Sequence, residues 1–335
     1  MRPWKNAEAG LNEILSLAAG NLLSPIILSF ALGLAAALAR SELSIPEAVA
    51  KGMSIYLLFA IGFKGGASVA AHGLDASLLL SLGAGVMLSF SLPFLAFALL
   101  RVMTRLSALD AAAVAGHYGS ISIVTFVAAS SVLADRGIMA EGYMVAVAAA
   151  MEAPAILSAL WLVSRRGAGP KIEGDIWREI LLNGSIVLLV GAFVIGWVTG
   201  EKGLGEVGPF IVSPFKGVLC LFLLDMGLVA GRGLRRARGV LTGGLLGFGV
   251  LMPVLGSVAG LALALALGLS TGGAVLLMVL AASASYIAVP AAMRVALPEA
   301  NPSIYLTMSL GVTFPFNLTL GIPLYVALAR MATGG

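Results

Sequence analysis

Charge is scarce in this chain of 335 residues. Only 11% of them are Asp, Glu, Lys or Arg, against about 25% in an ordinary soluble domain. Twenty basic and 16 acidic side chains cannot solvate the surface of a soluble protein of this length, while 60% of the residues are hydrophobic. That apolar share excludes a disordered chain, and a single cysteine, Cys220, excludes a disulfide scaffold. The net charge of +4 is small; loops flanking membrane helices explain it better than contacts to nucleic-acid phosphates. No segment matches a Walker motif, which argues against ATP drive. What is present is long hydrophobic runs, and the reading is an all-α polytopic membrane protein.

A helix that crosses a bilayer needs about 20 mostly apolar residues. Ten runs qualify: 22–39, 48–71, 76–102, 108–133, 142–163, 179–198, 211–231, 240–269, 272–296 and 303–331. Glu8 and Glu13 interrupt any signal-peptide core, so no cleaved leader is expected. Of the 20 basic residues, 13 fall in loops that follow odd-numbered spans, including Arg232, Arg235, Arg236 and Arg238. By the positive-inside rule that side is cytoplasmic, which puts both termini on the outer side of the cell's inner (plasma) membrane. The hydrophilic connection 165–178 divides the chain into a first five-helix unit, 1–164, and a second, 179–335.

The halves repeat one order of events. Span two carries Leu58-Phe59-Ala60-Ile61-Gly62 and span seven Leu223-Leu224-Asp225-Met226-Gly227. Span five carries Glu152-Ala153-Pro154 and span ten Thr313-Phe314-Pro315. Five is odd, so the second copy enters the membrane from the opposite side. Two inverted five-helix repeats form a secondary-transporter architecture with its site at the midplane.

Spans four and nine are the expected location of that site. Span four contains Gly116-His117-Tyr118-Gly119-Ser120-Ile121-Ser122, and span nine contains Ser283-Ala284-Ser285-Tyr286-Ile287-Ala288-Val289-Pro290. The glycines weaken one helix, and Pro290 removes a backbone donor from the other. Both are expected to unwind and cross near the bilayer centre, which is tolerable only where freed backbone groups face protein, water or a ligand. Facing helix N-termini supply N–H donors and partial positive charge to an anion. Gly119, Ser120, Ile121, Ser122, Ser283, Ser285, Tyr286 and Ile287 are therefore the substrate-binding candidates. Hydroxyls and freed carbonyls also suit sodium, with a site expected near Ser122, Glu152 and Ser283. Small residues that merely let helices pack closely are the competing explanation. Glu152, Asp225, Thr125, Thr313 and Asn317 are the candidates for cation or proton coupling, because polar groups at membrane depth are costly to place. Asp225 alternatively pairs with Lys64, and His117 is either a proton shuttle or a neutral hydrogen-bonded side chain. The arginines around residue 235 act mainly as a topology determinant, with a regulatory contact as the alternative. Asn301-Pro302-Ser303 reads as a helix cap followed by a first-turn proline.

These residues resemble the SbtA-type sodium-dependent bicarbonate transporter family. The strongest stretch is Ala281–Leu328, with Ala281-Ala282-Ser283-Ala284-Ser285, Leu297-Pro298-Glu299-Ala300-Asn301-Pro302-Ser303 and Gly321-Ile322-Pro323-Leu324. Thinner similarity covers Ile61-Gly62-Phe63-Lys64-Gly65-Gly66 and Met151-Glu152-Ala153-Pro154-Ala155. The resemblance implies ten helices in inverted repeats with broken spans four and nine, and a core moving against a scaffold in a homotrimer. It also implies sodium-coupled bicarbonate uptake, with sodium as the coupling ion and no other cofactor, and a PII-type regulator on the cytoplasmic face. Tyr286 stands where cyanobacterial members have aspartate, Ile123 and Val124 replace a Gly-Ser pair, and Glu152 replaces aspartate. The insert between the halves is short as well.

The leading expectation is thus a secondary transporter of a small inorganic or carboxylate anion in the lipid bilayer. Alternatives are the same scaffold driven by protons through Glu152 and His117, a passive anion channel, and an intramembrane enzyme using Ser120 with His117. That last reading has no third orienting group.

Overall fold

The computed structural model describes residues 23–73, 76–164, 184–236, 241–286, 289–290, 293 and 297–334. The anticipated connection at 165–178, Arg238, Ile287 and Arg294 lie outside them. The described residues form helices and no strand. In chain order they are α1 (Pro25–Leu38), α2 (Glu47–His72), α3 (Ala76–Met103), α4 (Ala108–His117), α5 (Ile123–Asp135), α6 (Met144–Ala150) and α7 (Pro154–Ser164). The second half supplies α8 (Gly184–Ile211), α9 (Phe215–Arg236), α10 (Gly243–Ala266) and α11 (Thr271–Ala282). The final helical stretch, α12, covers Pro302–Thr333. It is π-helical at Thr307–Thr313 and Asn317–Gly321, on either side of Pro315.

Seven stretches are long and apolar enough to cross a bilayer; α1, α5 and α11 are shorter apolar helices. The gap from the ten anticipated spans has a local cause. Helical hydrogen bonding in spans four and nine stops at His117 and Ala282, so neither forms one full-length helix, and α1, capped at Ser24, has only 14 residues. Polar caps set several starts. Ser24, Ser107, Thr242 and Ser270 each accept a backbone N–H from the first turn that follows. Asn301 accepts from Ser303 N with Pro302 in the first turn, as its tripeptide implies.

One stretch differs from its expected form. Residues 199–210, anticipated as a loop, continue α8 past a bend at Gly200, where φ is 59°. Leu204, Val207 and Ile211, spaced three and four apart, lay an apolar stripe against Phe59, Ala60 and Phe63. That packing outweighs the polar Glu201, Lys202 and Glu206.

Two helix pairs are joined through glycine. In α2 and α8, Gly66 faces the Phe193 carbonyl and Gly196 faces the Phe63 carbonyl; in α1 and α9, Gly33 faces Leu224 and Gly227 faces Phe30. Hydrophobic burial gives no net drive between helices in lipid, so close backbone approach carries the association. A Gly66→Val side chain would meet main chain that cannot rotate aside. It should cost about 1–3 kcal/mol, seen as a lowered unfolding midpoint of the purified protein. Gly52→Ala on the same helix faces open space and should leave the midpoint unchanged or raise it slightly. Equal midpoints for the two variants would refute the packing argument.

The most enclosed helices are α4 and α11. Every residue from Ala111 to His117 and from Gly272 to Ala282 is buried. Their broken ends therefore lie inside the protein, with α3, α7, α10 and α12 packed around them. Among the described residues the one ion pair is Lys216–Asp135, at 2.8 Å, tying the start of α9 to the end of α5.

Candidate functional site

Two prolines prepare the walls of the site. Pro93 in α3 and Pro253 in α10 cannot donate to the carbonyls four residues earlier, those of Ser89 and Gly249. The Gly249 carbonyl accepts from Thr313 Oγ1 at 2.8 Å. The Ser89 carbonyl faces Gly119 so closely that a Cβ there would overlap it. The Ser89 hydroxyl donates to Met151 O at 2.5 Å and accepts from Ala155 N at 3.2 Å. One serine thus braces the turn at Gly119 and the break between α6 and α7, where Glu152 sits.

The two broken spans are bonded to each other. Ser285 N donates to His117 O at 2.8 Å, and Ser122 N donates to Ser283 Oγ at 2.9 Å. Ser283 in turn donates to Leu280 O at 3.0 Å. Ser122 also caps α5, its hydroxyl accepting from Thr125 N at 3.3 Å and Thr125 Oγ1 at 2.9 Å. A helix leaves its first amides without internal partners. With Ser122 and Thr125 matched, the Ile123 and Val124 N–H groups remain at the positive end of α5. Of the anticipated amides, that of Ser122 is taken by Ser283, and the Ile123 and Val124 donors lie one and two residues further along the chain.

Several buried polar atoms around this junction are unmatched. The hydroxyls of Ser120 and Tyr286 and Nε2 of His117 have no hydrogen-bond partner among the described residues. Tyr286 OH approaches Ser122 without completing a well-aligned bond. His117 Nδ1 lies 2.7 Å from Ala113 O. A carbonyl only accepts, so Nδ1 carries the proton and Nε2 is a bare acceptor. The ring stacks on Tyr305 at 4.7 Å between centroids. Gly119, Ser120, Ile121 and Ser122 form the buried turn between α4 and α5, while Ser283, Ser285 and Tyr286 form the extended segment after α11.

The coupling candidates divide. Glu152 is buried, 6% exposed, and has no side-chain hydrogen bond or ion pair among the described residues. No hydrogen bond joins it to Ser122 or Ser283. Thr313 gives its single proton to Gly249 O, so the 2.7 Å contact with Tyr118 OH has the tyrosine as donor. Asn317 donates to Ala282 O at 2.9 Å, the open end of α11, and accepts from Tyr325 OH at 2.8 Å. Thr313 and Asn317 thus brace the walls. Asp225 is buried in α9, on the helix paired with α1, and makes no hydrogen bond or ion pair to either break among the described residues. The Lys64–Asp225 pair does not form; the Lys64 ammonium lies 5.5 Å from the centre of the Phe215 ring.

A cavity of about 470 Å³ runs from Arg232 and Arg236 past Thr307, Leu310 and Gly311 to Tyr286. The junction is therefore reached from the arginine-bearing end of α9. Ser89, Tyr118 and Gly249 were not among the anticipated residues. For Ser89 and Gly249 a signal was available: each stands four positions before an intrahelical proline.

Residues 25–330 match the family model of the Na+-dependent bicarbonate transporter superfamily. A search of curated proteins finds no match. The match and the long apolar helices together make this a multi-pass membrane protein from a transporter superfamily.

Proposed function

The chain belongs to the Na+-dependent bicarbonate transporter superfamily, and on that premise we propose that it is a secondary transporter that takes up bicarbonate or a similarly small anion together with sodium. The observation that carries the reading is the hydrogen-bonded junction of two broken helices, which holds unmatched buried hydroxyls at the end of a cavity. The anion would rest on the Ile123 and Val124 amides with Ser120 and Tyr286 as hydroxyl donors. Sodium would take oxygens near Ser122, Ser283 and Glu152. Being cargo and coupling ion, it needs no resident cofactor.

In this reading ten spans form inverted repeats. Two features support that. The pairs α1 with α9 and α2 with α8 interchange when the halves are swapped. Glu152-Ala153-Pro154 and Thr313-Phe314-Pro315 are each anchored to the residue four before a proline, Ser89 (through Met151 and Ala155) and Gly249 respectively. The core around α4, α5 and α11 would move against the glycine-joined scaffold of α1, α2, α8 and α9, in the inner membrane with both termini outside. A homotrimer and a PII-type regulator come from the family resemblance alone.

A proton-driven version is favoured by one observation: Glu152 has no cationic partner among the described residues and His117 offers a bare Nε2. Uptake into proteoliposomes under separate sodium and proton gradients distinguishes the two. Tyr286 sharpens the test, because a neutral hydroxyl is a weaker sodium ligand than a carboxylate. Sodium dependence should be weak in the unmodified protein and stronger in Tyr286→Asp. Strong, saturable sodium coupling that disappears in Tyr286→Asp would overturn that assignment, and uptake that follows neither gradient would overturn coupled transport.

A further inference from the structure

Beside the route to Tyr286 lies a second cavity, of about 320 Å³, lined by Arg40, Arg232, Arg235 and Arg236. We propose that this four-arginine cavity binds a phosphate-bearing anion at the membrane surface, with an anionic lipid headgroup as the favoured source. Two of the guanidinium groups are held in place. Arg232 donates to Leu43 O at 3.1 Å and Arg235 to Ala37 O at 3.0 Å. Arg40 adopts the left-handed conformation, φ 61°, the one non-glycine residue among those described to do so. That geometry closes the end of α1, with Arg40 N donating to Ala37 O at 3.2 Å and Ser41 N to Ala36 O at 2.9 Å.

Charge neutralisation is incomplete. Glu42, in the same loop as Arg40, forms no ion pair with these side chains, and Asp225, two turns before Arg232 on α9, attracts Arg232 without a direct ion pair. The guanidinium groups of Arg40 and Arg236 make no hydrogen bond or ion pair among the described residues. A topology signal needs positive charge only near a helix end. It does not need four guanidinium groups converging on one space, where their repulsion calls for an anion.

The position selects the chemistry. The cavity lies where α1 and α9, both apolar helices, end, which is the level of lipid phosphates. Basic pockets between helices at that depth suit headgroups with one or two phosphates. Guanidinium forks match phosphate oxygens two at a time. Arg232 and Arg236 also line the larger cavity that leads to Tyr286. A bound phosphate would therefore lower the positive potential met by an anion on that path.

The test uses the full chain, purified and stripped of lipid, with binding read by native mass spectrometry and by the unfolding midpoint. The probes are cardiolipin, phosphatidylcholine and inorganic pyrophosphate. Cardiolipin should bind and raise the midpoint, and phosphatidylcholine should not. Binding of pyrophosphate alone would keep the site but overturn the lipid as its source. An Arg40→Lys/Arg236→Lys variant retains every topological charge and loses the forks, so binding should weaken about tenfold. In Arg40→Gln/Arg236→Gln it should be lost. Binding by the glutamine variant equal to that of the unmodified protein, or no phosphate-bearing probe bound at all, would overturn the site. The readout is binding, so failure of the transport reading leaves it unaffected.

Discussion

Replacing Gly119 by valine should lower anion uptake about 100-fold while the protein still inserts and purifies intact. A side chain here has nowhere to go. A Cβ would overlap the Ser89 carbonyl and lie 2.5 and 2.6 Å from Cγ and Cδ of Pro93, a rigid ring inside α3. The φ angle at Gly119 is not positive, so glycine is required for space rather than for handedness. The turn must move away from α3, which pulls Ser122 off Ser283 and shifts the Ile123 and Val124 amides. A 100-fold loss corresponds to about 2.7 kcal/mol, within the usual range for overpacking a tight contact. Gly119→Ala should be intermediate. Adding Pro93→Ala to Gly119→Ala removes the ring from the collision and should restore part of the uptake. Normal uptake by Gly119→Val, or no recovery in the double variant of a stably folded protein, would refute the role of this contact.

The second large effect concerns Glu152. Glu152→Gln should abolish accumulation of the anion against its gradient while leaving anion exchange across the membrane measurable. The bonds that hold the break, Ser89 to Met151 O and Ala155 N to Ser89, involve only the main chain on the Glu152 side. The amide therefore preserves the fold and removes only the group that can carry charge. A buried carboxylate without a cationic partner is costly unless a cation or proton accompanies it, and that cost links anion movement to the ion gradient. In the sodium reading the variant loses sodium dependence; in the proton reading it loses dependence on the proton gradient. Counterflow and net uptake in the same liposomes measure both. Unchanged coupling in Glu152→Gln would remove Glu152 from the mechanism.

Much of the fold could be read from residue type and spacing. Span nine breaks at residues 283–286, ahead of Pro290, which is itself helical, but the turn of span four at Gly119 and the helix start at Pro302 after Asn301 were legible. These are local effects, and local chemistry suffices to locate them. The partners of the broken ends are another matter. That Ser285 N meets His117 O, or that Asn317 rather than a cation satisfies Ala282 O, depends on which helix faces lie together, and one strand of sequence does not state this. The same limit explains Lys64. Its distance from Asp225 is a tertiary quantity, and Phe215 offers its ring instead. The continuation of α8 past Gly200 was hidden by three charged residues, although Leu204, Val207 and Ile211 already carried helical spacing. Ser89 shows that a lone proline inside a hydrophobic run also marks the residue four positions before it.

The Lys216–Asp135 contact has a consequence for how the resting protein would respond to its surroundings. It ties α9 to α5 at the end of α9 opposite the arginines, and its side chains are 47% and 52% exposed. Such a catch contributes about 0–1 kcal/mol, a bias of at most about fivefold between bound and released arrangements. It is weak enough to open thermally, and dissolved salt screens it over a Debye length of about 8 Å at physiological ionic strength. The strength of the tie between α9 and α5 therefore depends on the ionic strength of the water at that end. Dilute solution would hold the two helices together there more firmly than a salty one.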